Sequence, residues 1–259
     1  MTSAHHLERF SLQGKIALVV GGTSGIGLAI ATGMRDAGAV VCVAGRNADK
    51  LQAAVTQLSA GASTAHGYQA DVGDPAQRQA LIAAVLKEHG HIDILVNSQG
   101  TTVIKPALEF TPAEYDTVVD TNLKSVFFTC VDVGRQMIER GSGCIINIAS
   151  LSSYRGWSGS SVYGLSKFGV LSLTESLASE WATRGVRVNA IAPGFFMTEL
   201  NRDKMKPERK ALALSRTPMG RFGEVDELVG AAVYLASPGA AYVTGETIRV
   251  DGGFLASGI

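Results

Sequence analysis

The feature that most limits this chain is a rhythm. Short apolar runs, KIALVVG, AVVCVAG, TAHGYQA, IDILVNS, GCIINIAS, VRVNAIAP and ETIRVDGG, alternate with stretches of helical period at 25–37, 47–59, 75–89, 112–140, 160–183 and 224–236. Runs such as ALVV and CIINIA have no polar face to turn toward water. They suit strands covered on both sides, as in a parallel sheet whose crossover connections are helices. The expected fold is α/β, a doubly wound and mostly parallel sheet of about seven strands with helices on both faces.

At 259 residues and 46% hydrophobic the chain can bury a large core. It carries no low-complexity tract, no repeat at solenoid period and no Pro/Gly/Ser linker, so one domain over residues 1–259 is expected. The long irregular stretch at 194–223 exceeds an ordinary connection and is read as a substrate lid within that domain. Lys plus Arg and Asp plus Glu each number 23. With no net basic field, neither nucleic acid nor an anionic membrane is expected as a partner. Cys42, Cys130 and Cys144 are odd in number, far apart and embedded in apolar runs. They read as reduced core residues, and no Cys or His stands at ligand spacing from them, so no metal is expected. The first residues lack the apolar core of a signal peptide, and no run reaches the roughly 18 apolar residues of a membrane span. A soluble, cytoplasmic protein is expected.

Gly21-Gly22-Thr23-Ser24-Gly25-Ile26-Gly27 follows the first strand and opens a helix. Glycines there let backbone approach a pyrophosphate, whose charge the helix N-terminus favours. The absence of G-K-[ST] after the cluster excludes a Walker phosphate loop, which leaves a dinucleotide. The second strand ends in Gly45-Arg46-Asn47, with no carboxylate for the ribose 2′-hydroxyl that NAD presents. Arg46 is read as the partner of a 2′-phosphate, so NADP(H) is favoured over NAD(H). The alternative is that Arg46 stacks on adenine and NAD binds without the usual carboxylate. Asp71-Val72 follows the third strand, where it either touches the adenine or belongs to a helix cap before Pro75.

Tyr163 and Lys167 stand at i, i+4 in a helical segment and share a face. A neighbouring ammonium favours phenolate, so the pair offers an acid/base. Ser150 ends the CIINIA strand at the carboxyl edge, where open α/β sheets place ligands, and its hydroxyl can hold a substrate oxygen. Asn122 is polar inside a helix otherwise patterned for burial, which a water-linked place beside Lys167 would relieve.

With these residues together, the chain resembles a short-chain dehydrogenase/reductase. The likeness covers Leu12 to Leu255: G-x-x-x-G-I-G at Gly21–Gly27, the Asp71-Val72 pair, the Asn97 turn, Asn122, Ser150, Tyr163-x-x-x-Lys167, V-N-A-I-A-P-G ending at Gly194, Thr198, and V-D-G-G at Val250–Gly253. The resemblance implies a Rossmann fold and an NAD(P)-dependent oxidoreductase moving a hydride between nicotinamide and a secondary alcohol or ketone. It implies a tetrad in which Tyr163 exchanges the proton, Ser150 positions the substrate oxygen, Lys167 binds the nicotinamide ribose and lowers the Tyr163 pKa, and Asn122 holds a water leading to Lys167. Pro193, Gly194 and Thr198 would contact the cofactor's nicotinamide half, and Asn97 and Gly100 would also belong to the cofactor site. It also implies a homotetramer built on the 107–140 and 160–183 helices and the last strand.

Two departures stand out: Val20-Gly21 replaces the usual T-G, and Asn97-Ser98-Gln99-Gly100 replaces N-N-A-G. Gln99 either points away from the ligand or polarises the space beside the nicotinamide ribose. The stretch Arg216–Gly223 with Glu227–Ala232 and Tyr242–Gly245 is similar to gluconate 5-dehydrogenases and deoxygluconate dehydrogenases. This implies a polyol, sugar acid or sugar-derived small molecule as substrate. The alternatives are a 3-oxoacyl carrier-protein reductase, with Lys204, Lys206, Arg209 and Lys210 as a basic patch, and a dinucleotide-binding regulator without turnover. The paired arginines of some sugar-acid members are missing, and Lys105 is either their substitute or a surface residue. Gln99, Ser152, Tyr154, Arg155, Trp157, Phe195 and Phe196 are the expected pocket residues.

Overall fold

The computed structural model describes residues 4–60, 65–198, 205 and 207–257. After a short helix α1 (Ala4–Glu8), its strands are β1 (Ile16–Val20), β2 (Val40–Gly45), β3 (Ala65–Gln69), β4 (Ile94–Asn97), β5 (Gly143–Ile148), β6 (Val186–Pro193) and β7 (Thr247–Val250). They form one sheet in the order β3-β2-β1-β4-β5-β6-β7, parallel at every pairing. The expectation of a mostly parallel sheet is thereby sharpened to a wholly parallel one.

Period-two alternation assigns the strand residues to two cores. Ala17, Val19, Val41, Val43, Ile94, Val96 and Ile146 face one side, with Ile30 and Met34 of α2 (Gly25–Asp36) and Leu51 and Leu58 of α3 (Ala48–Leu58). Leu18, Val20, Cys42, Leu95, Ile145 and Val188 face the other. There they meet Leu81 and Val85 of α4 (Pro75–His89), Val133 of α6 (Ser125–Arg140) and Leu177 of α7 (Ser161–Trp181). Two buried faces explain why the strands are apolar without alternation in the sequence. All three cysteines are buried and free, and burial pushes the Cys42 and Cys130 thiols up to about 12. No helix of the described residues is long and apolar enough to cross a membrane.

Strand order reverses between β1 and β4, so the chain leaves these neighbours toward opposite halves of the sheet and opens a crevice at their carboxyl ends. The expected helix at 112–140 is realised as α5 (Pro112–Val119) and α6 joined by a π-helical turn at Asp120–Lys124. Thr111 starts it with a capping box to Glu114. The segment expected at 224–236 begins as a 3-10 turn, Val225–Leu228, before the α-helix Val229–Ala236. Of the expected lid, 199–204 and 206 lie outside the described residues. The rest contains α8 (Pro207–Ser215), and the segment's two ends pair, Met197 N donating to Gly223 O at 3.2 Å and Gly223 N to Phe195 O at 2.9 Å. These bonds bring the two ends of the segment together beyond the exit of β6.

Candidate active site

Where β1 ends, Gly21 adopts φ +75°, and a Cβ there would lie 2.7 Å from the Gln99 backbone nitrogen. A Cβ on Gly27 would be driven into the Gly21 carbonyl oxygen. The turn thus packs backbone on backbone, leaving no space for side chains. Ser24 precedes α2 without a side-chain capping bond, and the first turn carries no acidic residue. The end of α2 is therefore set up for an anion instead of being neutralised from within. Thr23 rests against Gly45, and Thr198 approaches Gly25 from the start of the lid.

At the exit of β2, Arg46 is 69% exposed and 3.7 Å from an Asp71 carboxylate oxygen. The Asn47 side chain is occupied in capping α3, accepting from Lys50 N at 2.8 Å. Asp74 caps α4, accepting from Gln77 N at 3.0 Å, while Asp71 accepts from Gly73 N at 2.9 Å. Val72 is buried, and its carbonyl accepts from Arg78. Arg46, Asp71, Val72 and Gly73 line one end of a cleft of about 1320 Å³ that continues past Gln99, Ser150, Tyr163 and Lys167 to Met205 and Arg209. That volume exceeds a usual small-ligand pocket. A side-chain-free cradle, an uncapped helix start and a cation at β2 fit a dinucleotide.

The chemical end is built by β5 and α7. Ser150 leaves β5 in an extended conformation, and its Oγ accepts from Ser152 N at 3.2 Å. Ser153 Oγ donates to the Lys167 carbonyl at 2.7 Å and accepts from Ser150 N at 3.2 Å, tying α7 to the strand exit. Tyr163 is half-buried with its hydroxyl bonded to Ser150. Lys167 is 4% exposed and donates from Nζ to the Ile148 carbonyl at 2.7 Å. A methyl on Gly100 would lie 3.5 Å from Asn122 Oδ1 and 3.7 Å from Lys167 Nζ, so the three groups meet there.

The buried amide of Asn122 has protein partners on both of its polar atoms. Its Oδ1 accepts from Thr101 N at 2.7 Å, and its Nδ2 donates to Thr101 O at 2.9 Å and Ser166 Oγ at 3.1 Å. The π-helical turn carries Asn122 and is a feature often found at functional sites.

Electrostatics run against the expected low Tyr163 pKa. Burial raises the Tyr163 pKa, with the Ser150 hydrogen bond opposing it. Burial also drives the Lys167 ammonium down to about 8. Both shifts disfavour charge in the same desolvated floor. The free chain therefore holds Tyr163 as the neutral phenol.

Other expected residues divide. Ser152, Trp157, Phe195, Pro193, Gly194, Thr198 and Ile26 border the cleft. Trp157, Phe195 and Phe254 form an aromatic wall with centroids 5.3–6.3 Å apart. Phe196 borders the cleft but is 4% exposed, its ring packed on Gly223. Asn97 is interior, donating to Asn147 Oδ1 at 2.9 Å and to Cys130 Sγ at 3.2 Å, and does not line the cleft. Tyr154 and Arg155 also miss it: they are exposed in an adjoining groove with Leu165 and Phe168 that shares Ser152 and Trp157 with the cleft, the Tyr154 hydroxyl bonding Thr247. Lys105 is paired with Glu114, whose carboxyl it holds down to about 2. Gln99 lines the cleft and donates to Ser125 Oγ at 3.2 Å and Asn97 Oδ1 at 3.4 Å, while its Oε1 is buried without a hydrogen-bond partner. Sequence reasoning missed Ser153, Ser166 and Asn147, which brace the site from behind. Their signal was small polar residues inside apolar helix and strand patterns.

Comparison with known proteins agrees with this architecture. A family model described as enoyl-(acyl carrier protein) reductase matches residues 20–255. The D-threitol dehydrogenase of Mycolicibacterium smegmatis is 40% identical over 257 residues, covering 98% of this chain and 99% of that protein. The gluconate 5-dehydrogenase of Gluconobacter oxydans is 40% identical over 253 residues, covering 97% and 99%. A crystal structure of a gluconate 5-dehydrogenase from Burkholderia cenocepacia, in complex with NADP and tartrate, is 38% identical. It superposes with a TM-score of 0.94 over 98% of this chain and 100% of that one. Likeness on this scale, over the same seven-stranded sheet, means that the chain belongs to the short-chain dehydrogenase/reductase family.

Proposed function

We propose that the chain transfers a hydride between NADP(H) and a secondary alcohol or ketone of a polyol, a sugar acid or a related sugar-derived molecule. The observation that carries this reading is the Tyr163 phenol, hydrogen-bonded to Ser150 and one helical turn from Lys167, at the floor of a cleft that also contains the glycine cradle. The dinucleotide supplies or accepts the hydride. Tyr163 gives its proton to the carbonyl oxygen in reduction and takes the hydroxyl proton in oxidation. Ser150 donates a hydrogen bond to the same oxygen and fixes its position. Lys167 holds the nicotinamide ribose, and Asn122 braces Thr101 and Ser166 around it. Arg46 pairs with the 2′-phosphate, since the Asn47 side chain beside it is already spent on capping α3. Of the lining cations, Arg209 lies on α8 at the lid end and is the candidate partner of a substrate carboxylate.

The names of the related dehydrogenases support the substrate class, and NADP in the Burkholderia enzyme supports the cofactor. The chain is further proposed to work as one domain over residues 1–259, with 194–223 as its lid, and as a cytoplasmic homotetramer. A coupled absorbance assay with both cofactors across polyols, sugar acids, cyclic alcohols and 3-oxoacyl esters tests the function. Turnover is expected with a polyol or sugar acid and NADP(H). Activity confined to 3-oxoacyl esters refutes the substrate class, a clear preference for NAD(H) refutes the role of Arg46, and binding without turnover anywhere refutes catalysis.

A further inference from the structure

A second cluster of reactive side chains lies away from the cleft. β3 is the outermost strand of the sheet, and α4 packs beside it with its last turn near His66. His66 Nδ1 is 2.7 Å from Glu88 Oε1, and His89 Nε2 is 4.0 Å from Glu88 Oε2. The two imidazoles are in edge-on contact, with centroids 4.4 Å apart. Tyr68, two residues along β3, donates to Glu88 Oε2 at 2.6 Å and lies 3.4 Å from His89 Nε2. None of these four residues lines the cleft.

We propose that His66, Glu88 and His89 bind a divalent transition-metal ion, of which Zn²⁺ is the reference, with Tyr68 holding the carboxylate in place. The donor set selects the ion: two imidazoles and one carboxylate suit zinc and its neighbours, whereas calcium and magnesium take oxygen alone. The spacing is suitable as well. Tetrahedral zinc with bonds of about 2.1 Å sets its ligand atoms roughly 3.4 Å apart. Here one donor atom from each residue already falls within 4.8 Å of the others. His66 Nδ1 already meets Glu88 Oε1, and rotation of the Glu88 and His89 side chains brings His89 onto the same ion. The ion takes the place of the hydrogen bond between His66 and Glu88, and any proton on the ligating nitrogens is released to solvent. Tyr68 keeps its bond to Glu88 Oε2 and becomes the outer partner that orients a ligand. Glu88 and His89 lie in the last turn of a fifteen-residue helix, where the backbone dipole favours a cation. The fold brings together residues from a strand and from the far end of the next helix, which no sequence spacing motif announces.

The experiment uses the full, untagged chain after chelator treatment and dialysis. Zn²⁺ is titrated calorimetrically, and Co²⁺ is added in parallel to read ligand geometry from its visible spectrum. One ion per chain is expected, with a tetrahedral Co²⁺ spectrum. His66→Ala and His89→Ala are each expected to weaken binding by roughly tenfold or more. Both variants are expected to retain hydride transfer, which shows that they fold. The remaining histidines are His5, His6 and His91, and a triple alanine variant of these is expected to bind as the parent does. The proposal is overturned if the parent takes up no ion, if the His66 and His89 variants bind unchanged, or if the triple variant loses the ion.

Discussion

Tyr163 and Lys167 are moved in opposite directions by one cause, burial, and each is pushed toward its neutral form. A phenol that stays protonated through neutral pH is ready to give its proton, so ketone reduction is expected to hold steady from pH 6 to 9. Alcohol oxidation needs the phenolate and is expected to climb with pH through this range without a plateau; pH–rate profiles in both directions check this. Lys167 adds a linked effect on stability. Its folded pKa is lowered from 10.5 to about 8, so between those values the unfolded chain binds more protons and stability rises with pH. Below that window the folded state carries a penalty of roughly 3 kcal/mol, at about 1.4 kcal/mol per pH unit. Lys167→Met is therefore expected to lose turnover yet melt no earlier than the parent at pH 7, and Tyr163→Phe to lose about a thousandfold in turnover while still binding dinucleotide. Calorimetry and cofactor titration read these outcomes. The pair was legible in the sequence because helical spacing alone puts both on one face. The direction of the Tyr163 shift was not, because desolvation belongs to the assembled floor.

At the scale of elements, the glycine turn is the part of the site that sequence order reads most directly: strand, glycines and helix start are contiguous. What the order omits is the contact of Gly21 with the backbone of Ser98 and Gln99 just past β4, which joins the cradle to that strand's exit. Gly27→Ala is expected to force α2 away from the Gly21 carbonyl. A cost of about 1–3 kcal/mol in stability should accompany at least a tenfold loss of dinucleotide affinity, seen by denaturant unfolding and cofactor titration. Unchanged affinity would mean that the turn does not touch the cofactor. The 112–140 helix was correctly placed by its periodicity, but its π-helical turn was invisible there. One extra residue per turn changes no apolar pattern over so short a span, yet it re-aims Asn122 at Thr101 and Ser166. Tyr154 failed for a related reason, since a turn's position in sequence does not say which side of the turn its side chain leaves.

For the whole molecule, the sheet and its two cores follow from strand composition, while the assembly does not. Phe127 and Phe128 on α6, with Leu165 and Phe168 on α7, are each at least 40% exposed, an apolar surface suited to the proposed homotetramer. Phe168→Glu is expected to yield smaller species in analytical ultracentrifugation without loss of helical signal. A parent that sediments as a monomer refutes the assembly. The division of the aromatic side chains also has an optical consequence. The chain has two tryptophans: Trp157 stands in the aromatic wall of the cleft, and Trp181 lies buried against Gly134. Indole emission overlaps the absorption of a reduced nicotinamide, and energy transfer falls steeply with distance. The protein thus carries its own fluorophore at the mouth of the site and a second one set back in the core as an internal reference, so cofactor arrival can be followed in real time without a label.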